Sequence, residues 1–393
     1  MTTPSSPAGS VISAILRYDD KQTSYKIALL RAINDVALAF PDMHTLGRDV
    51  AIPLRVLADA WIGYYWPFVD PHAPIYQGPR ARRGEVLRND MGFRPALSQL
   101  RAQFTREHGA DFRPADGALL VSDIQHPRRR LHYSSELLTA YREASRAVQR
   151  VIEMPIRYAG PPGSEWAVFP RPVRADALGP SVAPLPGSRQ SDRCLVVPAE
   201  LWATFRTVSL WVESLCIHEW ALFSETVDQG DGRRVSRGQA YEFLTNRPES
   251  RQPLTWERNH IAVLLLEGKT FVCPWTSTPI RHGDRFDLDH LLPIAVYPVN
   301  ELWNLVPAEP AFNQQTKRNR IPSPARLAAA VPHLSATYAH YAASSALANA
   351  LADDVGRRFA RLVPGPPDFS LQVARAATDF VDRVAELRSL QRF

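Results

Sequence analysis

Cysteine is scarce in this 393-residue sequence, which holds three, Cys194, Cys216 and Cys273. So few thiols form neither a disulfide framework nor a metal cluster, and this fits a reducing cytosol. Long apolar runs are also lacking, because no stretch approaches the roughly eighteen apolar residues of a membrane span. The opening residues MTTPSSPAGS lack a basic region followed by an apolar core, so we expect no secretory signal. These absences predict a cytoplasmic protein without a membrane partner.

Lysine is scarce beside arginine. Lys21, Lys26, Lys269 and Lys317 are the only four lysines among the 46 basic residues. A nucleotide bias toward arginine codons accounts for most of this imbalance. The net charge of +6 permits nucleic-acid binding without requiring it. Against the arginine background, Lys317 indicates a position that favours a compact ammonium over a guanidinium fork.

Helical patterns dominate the chain. Leu29, Ile33 and Val36 follow the spacing of a core-facing helix, and 199–226 is the longest helical signal. A proline-rich stretch before it reads as an irregular connector with a little β structure, and the helical tail after Pro324 is expected to pack against the N-terminal helices. The predicted parts are a helical N-terminal region (1–154), a Pro-rich connector (155–198), a helical scaffold (199–268), a domain that carries the motif described next (269–325) and a helical tail (326–393).

Candidate catalytic residues concentrate in the stretch FDLDHLLPIAVYPVNELWNLVPAEPAFNQQTKRNRIPS. Asp289 and His290 end an apolar strand, where a buried carboxylate needs a partner that a divalent cation can supply. Asn304 lies in a second apolar run, where its amide can hold a neighbouring loop or the imidazole. Asn313 and Lys317 are four residues apart in a predicted helix and share a face. This arrangement suits phosphodiester hydrolysis, with an amide oxygen on a metal and an ammonium on a phosphate.

The order and spacing of these residues resemble the HNH, or ββα-metal, nucleases, in the variant whose third motif residue is asparagine. The resemblance implies a mostly α fold with a small α+β part: a helical N-terminal body, a C-terminal ββα-metal (HNH) nuclease domain and a helical tail. It implies that His290 is the general base and that Asn304 orients it. It further implies that Asp289 and Asn313 bind the catalytic cation, with Mg²⁺ expected first and Mn²⁺, Ni²⁺ or Zn²⁺ as alternatives.

Basic residues in three places are candidates for phosphate contacts. One group follows the motif, and two others lie in basic loops of the N-terminal region. Such loops can track a nucleic-acid backbone or can be plain solvated surface. The residues predicted to bind nucleic acid are Lys317, Arg318, Arg320, Arg82, Arg83, Arg129 and Arg130.

The sequence departs from many HNH domains at Cys273. Those domains carry two Cys-x-x-Cys pairs that bind a structural zinc, whereas here Thr276 stands where the second cysteine would be. One thiol cannot build a four-ligand zinc site, so no structural zinc is predicted. Packing must then hold the domain together, and Trp275, Trp303 and Phe312 are the candidate residues.

These observations predict a metal-dependent endonuclease that hydrolyses phosphodiester bonds in DNA. A ribonuclease of the same fold is one alternative. A catalytically inactive nucleic-acid-binding or regulatory subunit is another. The phrases around the motif resemble bacterial restriction and phage-defence HNH proteins with helical N-terminal regions. The resemblance therefore implies antiviral defence as a role, and a homodimer or defence-system proteins as partners.

Overall fold

A computed structural model shows a mostly helical chain, which confirms the predicted fold class. The chain divides into two compact units, Met1–Pro248 and Glu249–Phe393, and the division falls inside the segment 199–268. No helix in the described part of the chain is long and apolar enough to cross a bilayer. The structure describes residues 8–40, 43, 47–78, 90–109, 113–161, 163–229, 233–246, 254–294, 296–297, 299–359 and 362–393, and the backbone of 82–83 and 86–87.

The first unit is organised around buried helices. Its helices are α1 (Ala8–Arg17), α2 (Tyr25–Ala39), α3 (Leu54–Tyr65), α4 (Arg94–His108), α5 (Asp116–Gln125), α6 (Pro127–Arg130), α7 (Ser135–Tyr158), α8 (Ala199–Thr207), α9 (Ser209–Thr226) and α10 (Arg237–Thr245). The predicted stripe of Leu29, Ile33 and Val36 on α2 is buried. Helix α2 packs against α3, α7, α8 and α9, so its apolar residues lie at the centre of the unit.

A small sheet joins distant parts of this unit. The strands are β1 (Asp49–Pro53), β2 (Arg82–Arg83), β3 (Val86–Leu87), β4 (Val173–Arg174), β5 (Val182–Pro184) and β6 (Arg193–Val197). Four of them form a sheet in the order β4-β6-β1-β5, in which β1 is parallel to β5 and antiparallel to β6. The proline-rich stretch 155–198 thus supplies three of the four strands. Strands β5 and β6 pair with β1, and β4 pairs with β6.

The longest helical signal is interrupted. The prediction of one helix over 199–226 is wrong at Val208, whose backbone (φ −115°, ψ 27°) separates α8 from α9. A β-branched residue loses side-chain freedom in a helix, so leaving the helical conformation at Val208 costs little free energy. It also lets Phe205 and Val212, both buried, pack from two separate helices.

The second unit surrounds two short hairpins. Its elements are α11 (Thr255–Leu266), β7 (Phe271–Val272), β8 (Pro279–Ile280), β9 (Asp287–His290), β10 (Leu305–Ala308), a π-helical turn (Phe312–Lys317), α12 (Pro324–Ala343), α13 (Leu347–Arg358) and α14 (Phe369–Leu387). Strand β7 pairs with β8, and β9 pairs with β10, both antiparallel.

The tail helices complete the core of this second unit. Tyr338 and Tyr341 of α12 donate hydrogen bonds to the carbonyls of Trp303 (2.5 Å) and Leu305 (3.0 Å). Trp303 is fully buried and also packs edge-on against Phe380 of α14. The apolar faces of α12 and α14 therefore belong to the core of the second unit, where they cover Trp303 and the β9–β10 hairpin. The reason is that Trp303 and β10 are too apolar to remain open to water.

Candidate active site

Strand β9 presents the Asp-His pair at its end. In the β9–β10 ladder His290 lies opposite Leu305, and Asp287 lies opposite Ala308. Since side chains alternate along a strand, Asp287 and Asp289 project from the same face. Two carboxylates therefore share one face of the strand that ends in the candidate base.

Asp289 is buried and fully engaged. Its Oδ1 accepts a hydrogen bond from Nζ of Lys317 at 2.8 Å, and its Oδ2 accepts one from Nε1 of Trp275 at 2.9 Å. Lys317 also donates to the carbonyl of His290 at 2.8 Å and is only 1% exposed. The predicted contact between Lys317 and a phosphate does not agree with this burial, because its ammonium neutralises a carboxylate inside the domain.

His290 is held in one orientation by an asparagine that sequence reasoning missed. The ring Nε2 lies 2.8 Å from Oδ1 of Asn300, and because an amide oxygen accepts hydrogen bonds, this contact favours the tautomer with the proton on Nε2 and the lone pair on Nδ1. Burial lowers the pKa of His290 below its usual value, and the nearby Lys317 ammonium adds to this. The Asn300 hydrogen bond and the charge of Asp289 oppose the shift. The imidazole is thus neutral near pH 7, the state that a general base requires.

Asn304 holds the loop that carries Asn300. Its Oδ1 accepts from the amide of Leu292 (2.8 Å), and its Nδ2 donates to the carbonyls of Leu292 and Val299 (both 3.2 Å). The side chain is fully buried, and its described hydrogen bonds go to backbone atoms of this loop and not to the imidazole. Of the two uses foreseen for this amide, the structure shows the loop contact, and Asn300 makes the contact with His290.

The side chain of Asn313 contacts Asp287. Its Nδ2 lies 3.1 Å from Oδ2 of Asp287, and Nε2 of Gln314 lies 3.0 Å from the same oxygen. The turn that carries Asn313 is π-helical, and the amide of Arg318 donates to the Asn313 carbonyl five residues earlier at 2.8 Å. Arg318 then takes a positive φ of 51°. Single π-helical turns are frequent at functional sites.

The predicted basic residues fall into different environments. Arg318 is exposed, while the Arg320 guanidinium lies over the Phe393 ring at 5.9 Å. In the first unit Arg129 pairs with Asp123 at 3.3 Å, and Arg130 is exposed. The side chains of Arg82 and Arg83 lie outside the described residues.

The donor atoms near Asn313 fit a hard divalent cation. The amide of Asn313 and the carboxylate of Asp287 offer oxygen atoms, which Mg²⁺ and Mn²⁺ prefer. Both side chains are partly exposed. Asp289 lies on the same face of β9, and each of its carboxylate oxygens accepts one described hydrogen bond. The two predicted ligands therefore contact different side chains in this structure. Asp289 contacts Lys317 and Trp275, and Asn313 contacts Asp287.

Packing replaces the missing cysteine pair at the β7–β8 turn. Cys273 is buried, and its amide donates to the carbonyl of Thr278 at 2.9 Å. Trp275 follows it and packs edge-on against Phe393 with 5.9 Å between ring centroids. Among the described residues, no group of three or more His, Cys, Asp or Glu side chains is placed to hold a metal.

Residues 273–323 match the family model described as HNH endonuclease. The hairpin, His290 and the Asn313 turn therefore belong to an HNH domain, which supports a nuclease. A second family model, described as Domain of unknown function (DUF8808), matches residues 5–244, and the chain belongs to this family. Neither the curated proteins nor the solved structures gave a match.

Proposed function

We propose that this protein is a metal-dependent DNA endonuclease whose general base is Nδ1 of His290. The main support is the 2.8 Å contact between Nε2 and Asn300, which favours the tautomer with Nδ1 unprotonated inside the HNH domain. Burial keeps the pKa of His290 low, so the ring is ready to accept a proton at neutral pH.

The residues divide the work of hydrolysis. His290 accepts the proton of the attacking water at Nδ1, while Asn300 holds the ring and Asn304 holds the loop behind it. A bound cation supplies charge stabilisation to the scissile phosphate and the leaving oxygen. Asn313 and a carboxylate of β9 would hold that cation, and the exposed Arg318 would contact a flanking phosphate.

Substrate and metal can be tested together. Supercoiled plasmid and an RNA transcript of the same sequence are incubated with the protein in Mg²⁺, Mn²⁺, Ni²⁺ or Zn²⁺, and in EDTA. We expect plasmid cleavage that requires a divalent ion. Cleavage of RNA alone would identify a ribonuclease instead. DNA binding without cleavage in any metal would identify an inactive binding subunit.

The role of His290 is tested by substitution. Loss of a general base typically lowers the rate by about 10²–10⁴-fold, so His290→Ala should lose cleavage by that factor. His282→Ala, at an exposed histidine of the same unit, is the matched control and should keep wild-type activity. If His290→Ala cleaves within threefold of wild type and unfolds normally, His290 is not the base.

A further inference from the structure

The loop between β9 and β10 carries Asn300, and tail residues hold this loop on both sides of that asparagine. The amide of Leu302 donates a hydrogen bond to Oδ2 of Asp354 at 2.8 Å. On the other side, Arg388 donates to the carbonyl of Val296. Asp354 belongs to α13, and Arg388 directly follows α14. Both helices lie beyond the end of the segment that matches the HNH model.

A buried ion pair fastens the same loop to α13. The carboxylate of Glu301, next to Asn300, is 2% exposed, and its Oε2 lies 4.0 Å from Nε of Arg358. The Arg358 guanidinium also lies over the rings of Tyr297 and Phe380, 5.1 Å and 5.0 Å from their centroids. Because a buried charge without its partner is costly, this contact keeps the loop against α13.

The carboxylate of Asp354 meets a local need of the loop. Leu302 opens a 3-10 turn (Leu302–Asn304), and Glu301 before it does not cap this turn with its own side chain. The first amides of a helical turn lack partners inside the turn. Leu302 is 1% exposed, so its amide has little access to water, and α13 supplies the acceptor that it requires.

Asn300 is therefore fixed through its neighbours in sequence. On one side, the Val299 carbonyl accepts from Nδ2 of Asn304 at 3.2 Å. On the other side, the contacts with α13 hold the next two residues. Consecutive Cα atoms are about 3.8 Å apart, so anchors on both sides leave the Asn300 backbone little freedom. Its amide oxygen lies 2.8 Å from Nε2 of His290, and α13 thus determines where that oxygen meets the imidazole.

We propose that Asp354 is a positioning residue for the general base, on which it acts through the loop and Asn300. With the loop fixed, the His290 imidazole keeps the orientation in which Nε2 is bound and Nδ1 accepts the proton of water. This inference rests on the nuclease function proposed above. It makes α13 a part of the active site, although this helix lies outside the segment that matches the HNH model.

Cleavage kinetics of the full chain test this role. Displacement of a catalytic group by about 1 Å can cost about 10²-fold in rate, so Asp354→Ala should lower kcat at least about tenfold, with KM within about threefold of wild type. Asp354→Asn keeps an acceptor oxygen and should restore most of the rate. Asp353→Ala, at the exposed neighbouring aspartate of α13, is the matched control. In an Asn300→Ala background, Asp354→Ala should lower kcat no further, because the connection to the ring is already broken.

A spectroscopic measurement on His290 requires no activity. Its ring signals in long-range ¹H–¹⁵N spectra are assigned by their loss in His290→Ala. At a pH where the ring is neutral, wild type should show the tautomer with the proton on Nε2. Asp354→Ala should mix the two tautomers and bring the two nitrogen shifts closer together. Asp353→Ala should leave both shifts unchanged.

The outcomes separate this inference from the proposed function. If Asp354→Ala changes neither kcat nor the His290 spectrum, or if its effect on kcat multiplies with that of Asn300→Ala, the inference is overturned. Wild-type protein that cleaves no nucleic acid in any metal would overturn the proposed function, and the His290 spectra would then decide the inference alone. Should Asp354→Ala fail to fold, Asp354→Leu takes its place, because leucine keeps the side-chain volume and favours a helix.

Discussion

The buried pair of Asp289 and Lys317 allows a quantitative test of how the HNH domain is held together. At 2.8 Å the gross attraction between the two charges is about 6 kcal/mol for an effective dielectric constant near 20. Desolvation of both groups cancels much of this gain. Removing one partner leaves the other charge buried, which costs about 3–5 kcal/mol. Lys317→Ala should therefore destabilise the second unit by that amount.

Calorimetric unfolding of the full chain measures this effect. For a unit of this size each kcal/mol moves the transition by about 3 °C, so Lys317→Ala should lower the transition of the second unit by on the order of 10 °C. Lys269, the other lysine of this unit, is exposed. Lys269→Ala is the matched control and should change stability by no more than about 0.5 kcal/mol.

A double-mutant cycle identifies the cause. Replacing a buried ion pair by apolar residues of similar size is often neutral, so Asp289→Leu/Lys317→Met should lose less stability than the two single changes together. The reasoning is refuted if Lys317→Ala unfolds within about 1 kcal/mol of wild type, which is well below the cost of an unpaired buried charge. Strict additivity in the cycle would also refute it.

Three further predictions follow from buried or exposed charges. Because burial lowers the pKa of His290, the acid limb of kcat/KM should lie below about pH 6.5, and a limb above that value would contradict the assignment. Burial raises the pKa of Asp59 from 3.8 to about 6, so this carboxyl group lowers the stability of the fold as the pH rises from about 4 to about 6. Asp59→Asn should then stabilise the first unit by up to about 3 kcal/mol at pH 7, a gain that urea titrations should find absent below pH 4. DNA affinity measured against salt should show a slope reduced by about 0.9 in Arg130→Ala, and less in Arg129→Ala, since Arg129 already pairs with Asp123; unchanged slopes would mean plain surface.

Local pattern predicted much of this molecule. The apolar run before Asp289 forms β9, and Leu305 and Val306 form its partner strand, because both segments are short, apolar and bounded by turn residues. The stripe on α2 is buried as its spacing indicated. The placing of an HNH domain late in the chain and the mostly helical fold class were likewise predictable. These features depend on residues close in sequence, whose pattern reports their own conformation.

Side-chain partners depended on the tertiary structure. Sequence spacing alone gave no reason to prefer Asn300 over Asn304 beside His290, since loop closure between β9 and β10 decides which amide reaches the ring. Nor did it show Lys317 as buried, because that requires Asp289 and Trp275 to be folded against it. The position of Asp287, two residues before Asp289, places both side chains on one face of the strand. Its contact with Asn313 depends on how the π-helical turn packs against that strand. Hydrogen bonds and ion pairs between distant segments form where packing brings their atoms within about 3 Å, and that placement is a property of the whole fold.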